Sequence, residues 1–360
     1  MKAATTRALD FFLPNRDIAR IAPLGRGKIN DTWLVRLCSG RQLVLQRLSA
    51  AVFSDPLAVM ANLRAVLAHL EPSREQLLAA GVSFFQLRSS PGGTDFLLDE
   101  EGHCWRLLSA IHPSTTLEGL RTPEQAEGIG AMLGRFHLLL ADMDQQLLSD
   151  PLPGFHDTAG YLQAYDRLMA AGAPAAENRD QGESLCHRFI AEQRGLVPLF
   201  QQQQPQLSRG LTHGDPKVSN FLFSPDQRRV ISLIDLDTVR PGLLLHDLGD
   251  CLRSCCNPLG ENHQQPEKTR FAGDIYAAVL RGYSRVGRRL LTATDLQLLP
   301  QAVRLICFEL GLRFFSDHLQ GDRYFKTSSR GQNLERALIQ FHLADAAARQ
   351  EPELESLSPF

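Results

Sequence analysis

His213-Gly214-Asp215-Pro216-Lys217-Val218-Ser219-Asn220 is the stretch on which the reading of this chain turns. It sets an acidic side chain and an amide side chain in one short segment broken by glycine and proline. Such a loop can hold a carboxylate against a hydroxyl while the amide oxygen meets a metal ion. The same residue types favour turns, so the octet alone leaves a catalytic loop and a plain surface turn open in equal measure.

Downstream comes Ile234-Asp235-Leu236-Asp237, at the end of the β-prone run Arg229-Val230-Ile231-Ser232-Leu233-Ile234. On a strand, carboxylates at i and i+2 point to the same side. With no Lys or Arg beside them they repel, unless a cation lies between. Magnesium suits the pair, because it takes oxygen ligands and is usually held by one or two carboxylates plus substrate phosphates. The competing reading is a solvated turn, and against it stands the cost of unpaired buried charge. A third motif, His246-Asp247-Leu248-Gly249-Asp250-Cys251-Leu252-Arg253, spaces Asp250 and Arg253 to meet on one helical face. Here a bracing role comes first: Asp247 and Asp250 are expected to hold the two preceding loops or the helix start.

Working outward, residues 18–110 carry strand character. Thr32-Trp33-Leu34-Val35 and Leu43-Val44-Leu45 flank Ser39-Gly40, which predicts a hairpin, and further strands are expected near 84–87, 95–98 and 104–108. Ser54-Asp55-Pro56 opens an amphipathic helix through Leu57, Met60, Leu63, Leu67 and Leu70. From Thr122 onward helical patterns dominate, at 122–140, 160–171, 183–203, 270–286 and 294–319. The expected fold is therefore α+β, with a strand-rich lobe over residues 1–111 and a larger helical lobe over 112–360.

The 360 residues carry 38 Lys+Arg against 40 Asp+Glu, a net charge of -2 that leaves no electrostatic footprint for nucleic acid or an anionic membrane. No apolar run reaches the ~18 residues of a membrane span. Seven cysteines, an odd number without a CxxC pair, argue for reduced thiols rather than disulfides or a zinc site. The chain is thus expected to be a cytoplasmic monomer whose partner is a small molecule.

The series HGDxKxxNFLF at 213–223, IDLDTV at 234–239 and DLGDxLRS at 247–254 resembles the aminoglycoside phosphotransferase and choline kinase superfamily, which has the two-lobed protein-kinase-like fold. Protein kinases use the same D-x-x-x-x-N spacing. Within the superfamily the chain is most similar to bacterial N-acetylhexosamine 1-kinases. Gly27-Lys28-Ile29-Asn30-Asp31-Thr32 looks like their GxINDT loop, Leu45-Gln46-Arg47-Leu48 like their LQR strand, and Glu309-Leu310-Gly311-Leu312-Arg313-Phe314 with Asp317-His318-Leu319 and Gly321-Asp322-Arg323-Tyr324-Phe325-Lys326 like their RFLTDxLxGDxYFK segment.

The resemblance implies an ATP- and magnesium-dependent kinase. Asp215 would be the catalytic base facing the acceptor hydroxyl, with Lys217 near the transferred phosphoryl group. Asn220 and Asp235 would hold magnesium, with Asp237 a second acidic neighbour. Gly25, Gly27, Lys28 and Asn30 would cover the phosphates. Gln46 stands where protein kinases carry their third-strand lysine, as it does in the hexosamine kinases. Arg313 and Tyr324 fall at sugar-holding positions, although Arg313 could equally be a structural arginine paired with Asp317 at i+4.

No APE-like motif follows Asp237, which weighs against a protein kinase. A choline site needs aromatic rings around a quaternary ammonium, and both tryptophans, Trp33 and Trp105, lie in the N-terminal lobe. Aminoglycosides need acidic surface, whereas the helix after Asp247 carries Arg253 and two cysteines. The favoured reaction is phosphorylation of the anomeric hydroxyl of an N-acetylhexosamine. Homoserine, methylthioribose, choline or aminoglycoside acceptors, and a non-catalytic nucleotide-binding pseudokinase, are the alternatives.

Overall fold

β-Branched and aromatic residues after Asp17 build a five-stranded antiparallel sheet in a computed structural model that describes residues 2–14, 17–25, 29–172 and 180–357. Gly27 and Lys28 of the expected phosphate loop lie outside the described residues. The strands are β1 (Ile18–Pro23), β2 (Asp31–Leu37), β3 (Gln42–Arg47), β4 (Leu97–Leu98) and β5 (Cys104–Ser109), in the order β1-β2-β3-β5-β4. Gly40, at φ 84°, closes β2 onto β3 as the Ser39-Gly40 pair predicts. Residues 84–87 contribute only a bridge from Leu87 to Leu108.

Strand alternation sorts the two faces of this sheet. Val35, Leu43, Leu45 and Leu107 are buried on one face against Ala8, Leu9 and Phe12 of helix α1 (Lys2–Phe12), which the sequence reading did not include. On the opposite face Thr32, Gln46 and Arg106 lie in register across β2, β3 and β5. Helix α2 (Pro56–Leu70) starts where Asp55 accepts from the backbone N–H groups of Leu57 and Ala58 at 3.1 and 3.0 Å, with proline in its first turn. A short helix α3 (Arg74–Ala79) follows.

The chain forms two compact units, 1–114 with 146–152, and 115–145 with 153–360. The return of 146–152 to the first unit is held by Asn62, whose amide donates to the Ser149 carbonyl at 2.8 Å and accepts from its N–H at 3.0 Å.

The second unit is mostly helical: α4 (Pro123–Leu139), α5 (Thr158–Ala170), α6 (Gln181–Gln193), α7 (Leu196–Gln203), α8 (Leu244–Cys255), α9 (Gly273–Gly287), α10 (Ala293–Gln297), α11 (Leu299–Leu319), α12 (Gln332–Arg349) and α13 (Glu351–Ser356). The pattern read as one helix over 183–203 is two, α6 and α7, parted near Gly195. Helix α12 escaped the sequence reading because much of its buried face is alanine, at Ala337, Ala344, Ala346 and Ala347, which marks periodicity weakly. Helices α4 and α9 cross so closely that a Cβ on Gly130 would lie 1.9 Å from the Val279 carbonyl oxygen. Helix α11 is buried along most of its length, through residues such as Val303, Phe308 and Leu312.

Two small sheets sit among these helices. One pairs β7 (Arg209–Thr212) with β10 (Arg240–Leu243), and the other runs β6 (Thr115–Thr116), β8 (Phe221–Phe223), β9 (Val230–Leu233). Only β9 was legible as a strand, since runs of two to four residues are too short to show alternation. Phe221 and Phe223 are fully enclosed, and such a side chain contributes about 1.5–3 kcal/mol on burial. They anchor the downstream end of the 213–220 loop.

Candidate functional site

Strand β7 feeds the chain into the loop at His213, and a 3-10 turn at Val218–Asn220 returns it to β8. Between them the Lys217 ammonium meets the Asp215 carboxylate in an ion pair. Asn220 donates from Nδ2 to the Asp215 carbonyl at 2.8 Å and lies 3.4 Å from its Oδ2. The loop is thus closed on itself by the residues the sequence singled out.

Two further elements fix its backbone. The Asp247 carboxylate, from the first turn of α8, accepts from the N–H groups of His213 at 2.6 Å and Gly214 at 2.8 Å, and from Nε2 of His137 on α4 at 2.9 Å. Burial alone would raise this carboxyl, yet the hydrogen bond and charge of His137, followed by the other partners, hold it below its ordinary value. Behind it, Tyr283 OH lies 2.9 Å from Nδ1 of His137. Thr238 then donates to the His213 carbonyl at 2.7 Å. Gly214 takes φ 86° beside Thr238, where a Cβ would sit 3.0 Å from that residue. The bracing role expected of Asp247 is what the structure contains.

The second acidic motif is tied to the first. Ile234 N–H donates to the Asn220 carbonyl at 2.9 Å, and Nε2 of His213 donates to the Ile234 carbonyl at 2.9 Å. A carbonyl can only accept, so Nε2 carries the proton and Nδ1 is left to accept from Asp215 N–H at 3.2 Å. Asp235 follows at φ 68°, a left-handed conformation rare outside glycine, and Asp237 is buried in the next turn. Desolvation first, then the Asp237 carboxylate, push Asp235 up to about 6, against the pull of Lys217. The donors here are hard oxygens: two carboxylates whose repulsion a cation would relieve, and Oδ1 of Asn220, whose nitrogen is engaged by Asp215. That set fits magnesium. Elsewhere Asp99, Glu101 and His103 also cluster, but Asp99 already accepts from two backbone N–H groups and Trp105 Nε1.

Lys217 keeps its charge. Burial works against the ammonium, but Asp215 and Asp235 raise it above its ordinary value. Asp250, 5% exposed on α8, is divided: Oδ1 accepts from Arg253 Nε at 2.8 Å, and Oδ2 has no hydrogen-bond partner among the described residues. Burial, with Asp215 nearby, raises its carboxyl.

Arg313 stands on α11 within a box of aromatic rings. Its guanidinium carbon is 5.1 Å from the ring centres of Phe155 and Tyr161, 5.6 Å from Tyr324 and 5.5 Å from Phe325. Nη2 lies 3.4 Å from Tyr324 OH. The alternative pairing with Asp317 is not what holds it, because the Asp317 carboxylate is spent on the N–H groups of Arg323, Tyr324 and Phe325 and on Asn333. Arg313 and Tyr324 are therefore brought together, on a turn shaped by Asp317.

In the first unit, Gln46 accepts from Arg106 Nε and Nη2 at 3.0 and 2.7 Å, and donates to Thr32 at 3.3 Å. Arg106 is 1% exposed and was not singled out from the sequence, although a charge within the apolar strand Cys104-Trp105-Arg106-Leu107-Leu108 was the signal for it. Arg47 points to the other face and pairs with Asp31, as strand alternation predicts. Asn30 Oδ1 accepts from Ser49 N–H at 3.0 Å, and Gly25 takes φ 75° with open space around it. Also missed were His137 and His156, while Glu309 was noted only as the start of the segment that carries Arg313. The two histidines stand in no recognisable motif, and only the fold brings them to the loop.

Residues 20–290 match the model of the Phosphotransferase enzyme family. Among solved structures, an aminoglycoside phosphotransferase from Alicyclobacillus acidocaldarius is similar at TM-score 0.64 and 16% identity, over 98% of this chain and 96% of that one. A microcompartment-associated aminopropanol kinase is similar at 0.61 and 16%, over 99% of both chains. Choline kinase from Cryptosporidium parvum gives 0.59 and 11%, over 99% and 98%. At these identities the likeness is one of fold, the α+β protein-kinase-like arrangement of a strand-rich part and a larger helical part.

Proposed function

Because the chain belongs to the Phosphotransferase enzyme family, we propose that it moves the terminal phosphoryl group of ATP to a hydroxyl of a small molecule, and that its acceptor is a sugar phosphorylated at the anomeric hydroxyl, an N-acetylhexosamine or a close relative. The observation that carries the reading is the closed loop itself: Asp215, Lys217 and Asn220 in mutual contact, with Ile234, the residue before Asp235, bonded to Asn220 and His213. A pseudokinase has no need to keep that set intact.

In this reading Asp215 takes the proton of the attacking hydroxyl, which must lie within hydrogen-bond reach of its carboxylate. Lys217, kept cationic by Asp215 and Asp235, offsets negative charge as it spreads over the transferred group. Asn220 and Asp235, with Asp237 behind, would hold magnesium, which when bound neutralises phosphate charge. Gln46 orients Arg106, and that buried guanidinium is the group in the first unit best suited to replace the missing third-strand lysine.

For the acceptor, the aromatic box of Phe155, Tyr161, Tyr324 and Phe325 already contains a cation, Arg313. A quaternary ammonium would have to displace it, which supports a neutral, hydroxyl-rich ligand over choline. Arg313 would donate to ring oxygens in its fixed fork. One observation favours a second reading: Oδ2 of Asp250, buried and without a partner among the described residues, suits the ammonium of an amino alcohol. The aminopropanol kinase among the similar structures is in keeping with that.

ADP release with magnesium, measured over N-acetylhexosamines, other hexoses, homoserine, methylthioribose, amino alcohols, choline and kanamycin, tests the choice. Selective turnover of an N-acetylhexosamine, with product NMR placing phosphate on the anomeric oxygen, is expected. Turnover of amino alcohols alone, abolished by Asp250→Asn, would replace the sugar reading with the second.

A further inference from the structure

His156 is a buried titratable group that the phosphotransfer scheme does not use. It precedes α5 at φ 58°, a left-handed conformation held by one of only four non-glycine residues among those described. Its side chain is 7% exposed. Nδ1 lies 3.0 Å from Oε1 of Glu309 on α11, and Nε2 lies 2.9 Å from the carbonyl oxygen of Gly214, the residue before Asp215.

Neither partner can donate. A backbone carbonyl has only lone pairs, and the Glu309 carboxylate is ionised, since burial is outweighed by His156 and its other partners, which bring it to about 2. Oε2 of the same carboxylate accepts from Thr158 at 2.7 Å. Both ring nitrogens must then carry protons for both bonds to form. Of the remaining neighbours, Phe155 lies against the ring at 4.2 Å, tilted by 31°, and Asp250 adds negative charge from α8, which favours a cation. His246, 5.1 Å away on α8 and backed by Phe200 of α7, is driven down to about 3 by burial and by His156, so it stays neutral. Arg240 of β10 donates to the Phe155 carbonyl, and its charge also lowers His246. Arg313 is one helical turn beyond Glu309 and feels its charge.

We propose that His156 is a positioning residue for the Asp215 loop: as an imidazolium clamped between Glu309 and the Gly214 carbonyl, it fixes the peptide next to the catalytic base and links that peptide to the stretch of α11 that carries Arg313. The assignment of Asp215 as the base rests on the function proposed above. The charged clamp does not: it stands on the two contacts of the ring and on the ionised state of Glu309. Loss of the Nε2 proton frees the Gly214 carbonyl to turn, whereas loss of the Nδ1 proton cuts the link to Glu309 and leaves the ring free to swing away from both partners.

The net effect of these surroundings is to raise His156 above its ordinary 6.5. The hold is complete below that value and is lost as pH rises through the folded one. Glu309→Gln keeps the shape and an acceptor but removes the balancing charge. It should lower the His156 midpoint by about one unit or more, roughly a tenfold change in proton affinity.

Three readouts separate the possibilities. Imidazole 15N NMR, assigned against His156→Gln, should show both His156 nitrogens protonated at pH 6 and a titration midpoint above the ordinary 6.5; a ring neutral at pH 6 overturns the proposal. Amide hydrogen exchange of residues 212–215, corrected for intrinsic pH dependence, should speed up as His156 titrates, and should do so at lower pH in Glu309→Gln. An unchanged exchange profile overturns the positioning role. In the rate of ADP release from magnesium-ATP, kcat should fall on the alkaline limb with that same midpoint while KM for ATP holds. A kcat limb that ignores Glu309→Gln counts against the proposal. Absence of ADP release with every acceptor would remove the kinase reading while leaving the NMR and exchange results to decide the clamp.

Discussion

Two buried histidine–carboxylate pairs hold the same short piece of backbone, and they do it in opposite order. On the α4 and α8 side the carboxylate of Asp247 touches the loop, taking the N–H groups of His213 and Gly214, and His137 stands behind it. On the α5 and α11 side the histidine touches the loop, giving a proton to the Gly214 carbonyl, and Glu309 stands behind it. The difference follows from what each peptide group offers. Donors call for an anion and an acceptor calls for a cation, so Gly214 is gripped by a negative group through its N–H and a positive group through its C=O. The groups behind the two histidines differ too. His137 backs onto a tyrosine hydroxyl, which can donate or accept, whereas His156 faces two pure acceptors.

Breaking the anionic side should cost most. Asp247→Ala leaves two buried N–H groups and His137 without their acceptor, and removing one partner of a buried charged pair typically costs about 3–5 kcal/mol. Equilibrium urea unfolding of the variant should show that loss, and a change under about 1 kcal/mol would mean that the Asp247 grip is not structural. Gly214→Ala tests the peptide being gripped. It forces a side chain to φ 86° against Thr238, for about 1–3 kcal/mol, and should depress kcat as well as stability.

The two sides should also fail at opposite ends of the pH scale. Asp247 is held below its ordinary 3.8, so its contribution is present above that value and is lost as pH falls through the folded one. His156 is held above 6.5, so its contribution is lost as pH climbs. Urea midpoints measured across pH should fall at both ends. In Glu309→Gln the alkaline fall should move to lower pH and the share of the acid fall that Glu309 itself supplies should vanish, while the share from Asp247 remains; loss of the whole acid fall would mean that the pairs are not independent. The smallest effect should come from Tyr283→Phe, which removes one hydroxyl from behind His137 at about 0.5–1.5 kcal/mol and leaves the loop bonds intact. If Tyr283→Phe instead matched Asp247→Ala, His137 rather than Asp247 would be the member that matters.

The same contrast explains what could be read from the chain before folding. Asp247 lies in a motif with local spacing, so its bracing role was legible, as were the 213–220 loop, strand β9 and the hairpin at Gly40. The placement of Asp235 and Asp237 on that strand was not correct: β9 stops at Leu233, and the acids lie on a left-handed residue and a 3-10 turn, where the i, i+2 rule for strands does not apply. His156 and His137 come from separate helices and turns, and no local period marks them; Glu309 stands in the segment leading to Arg313, but its pairing with His156 is written only in the fold. Arg313 was legible as a position but not as a structure: its i+4 neighbour Asp317 offered a plausible ion pair, and only the fold reveals that this carboxylate is consumed by three backbone N–H groups and Asn333. Gln46 was recognised as an oddity, yet its meaning depended on Arg106 across the β3–β5 ladder. Pairings between strands, like those between helices, are written in tertiary register rather than in sequence distance.

The central claim is that this loop carries a base for phosphoryl transfer, and Asp215→Asn tests it most directly. The asparagine keeps the size of the side chain and removes its ability to take a proton. Steady-state ADP release with magnesium and the best acceptor should fall about 10²–10⁴-fold in kcat, while nucleotide affinity by equilibrium dialysis and the urea midpoint stay near those of the parent. Turnover in Asp215→Asn equal to that of the parent protein would contradict the account.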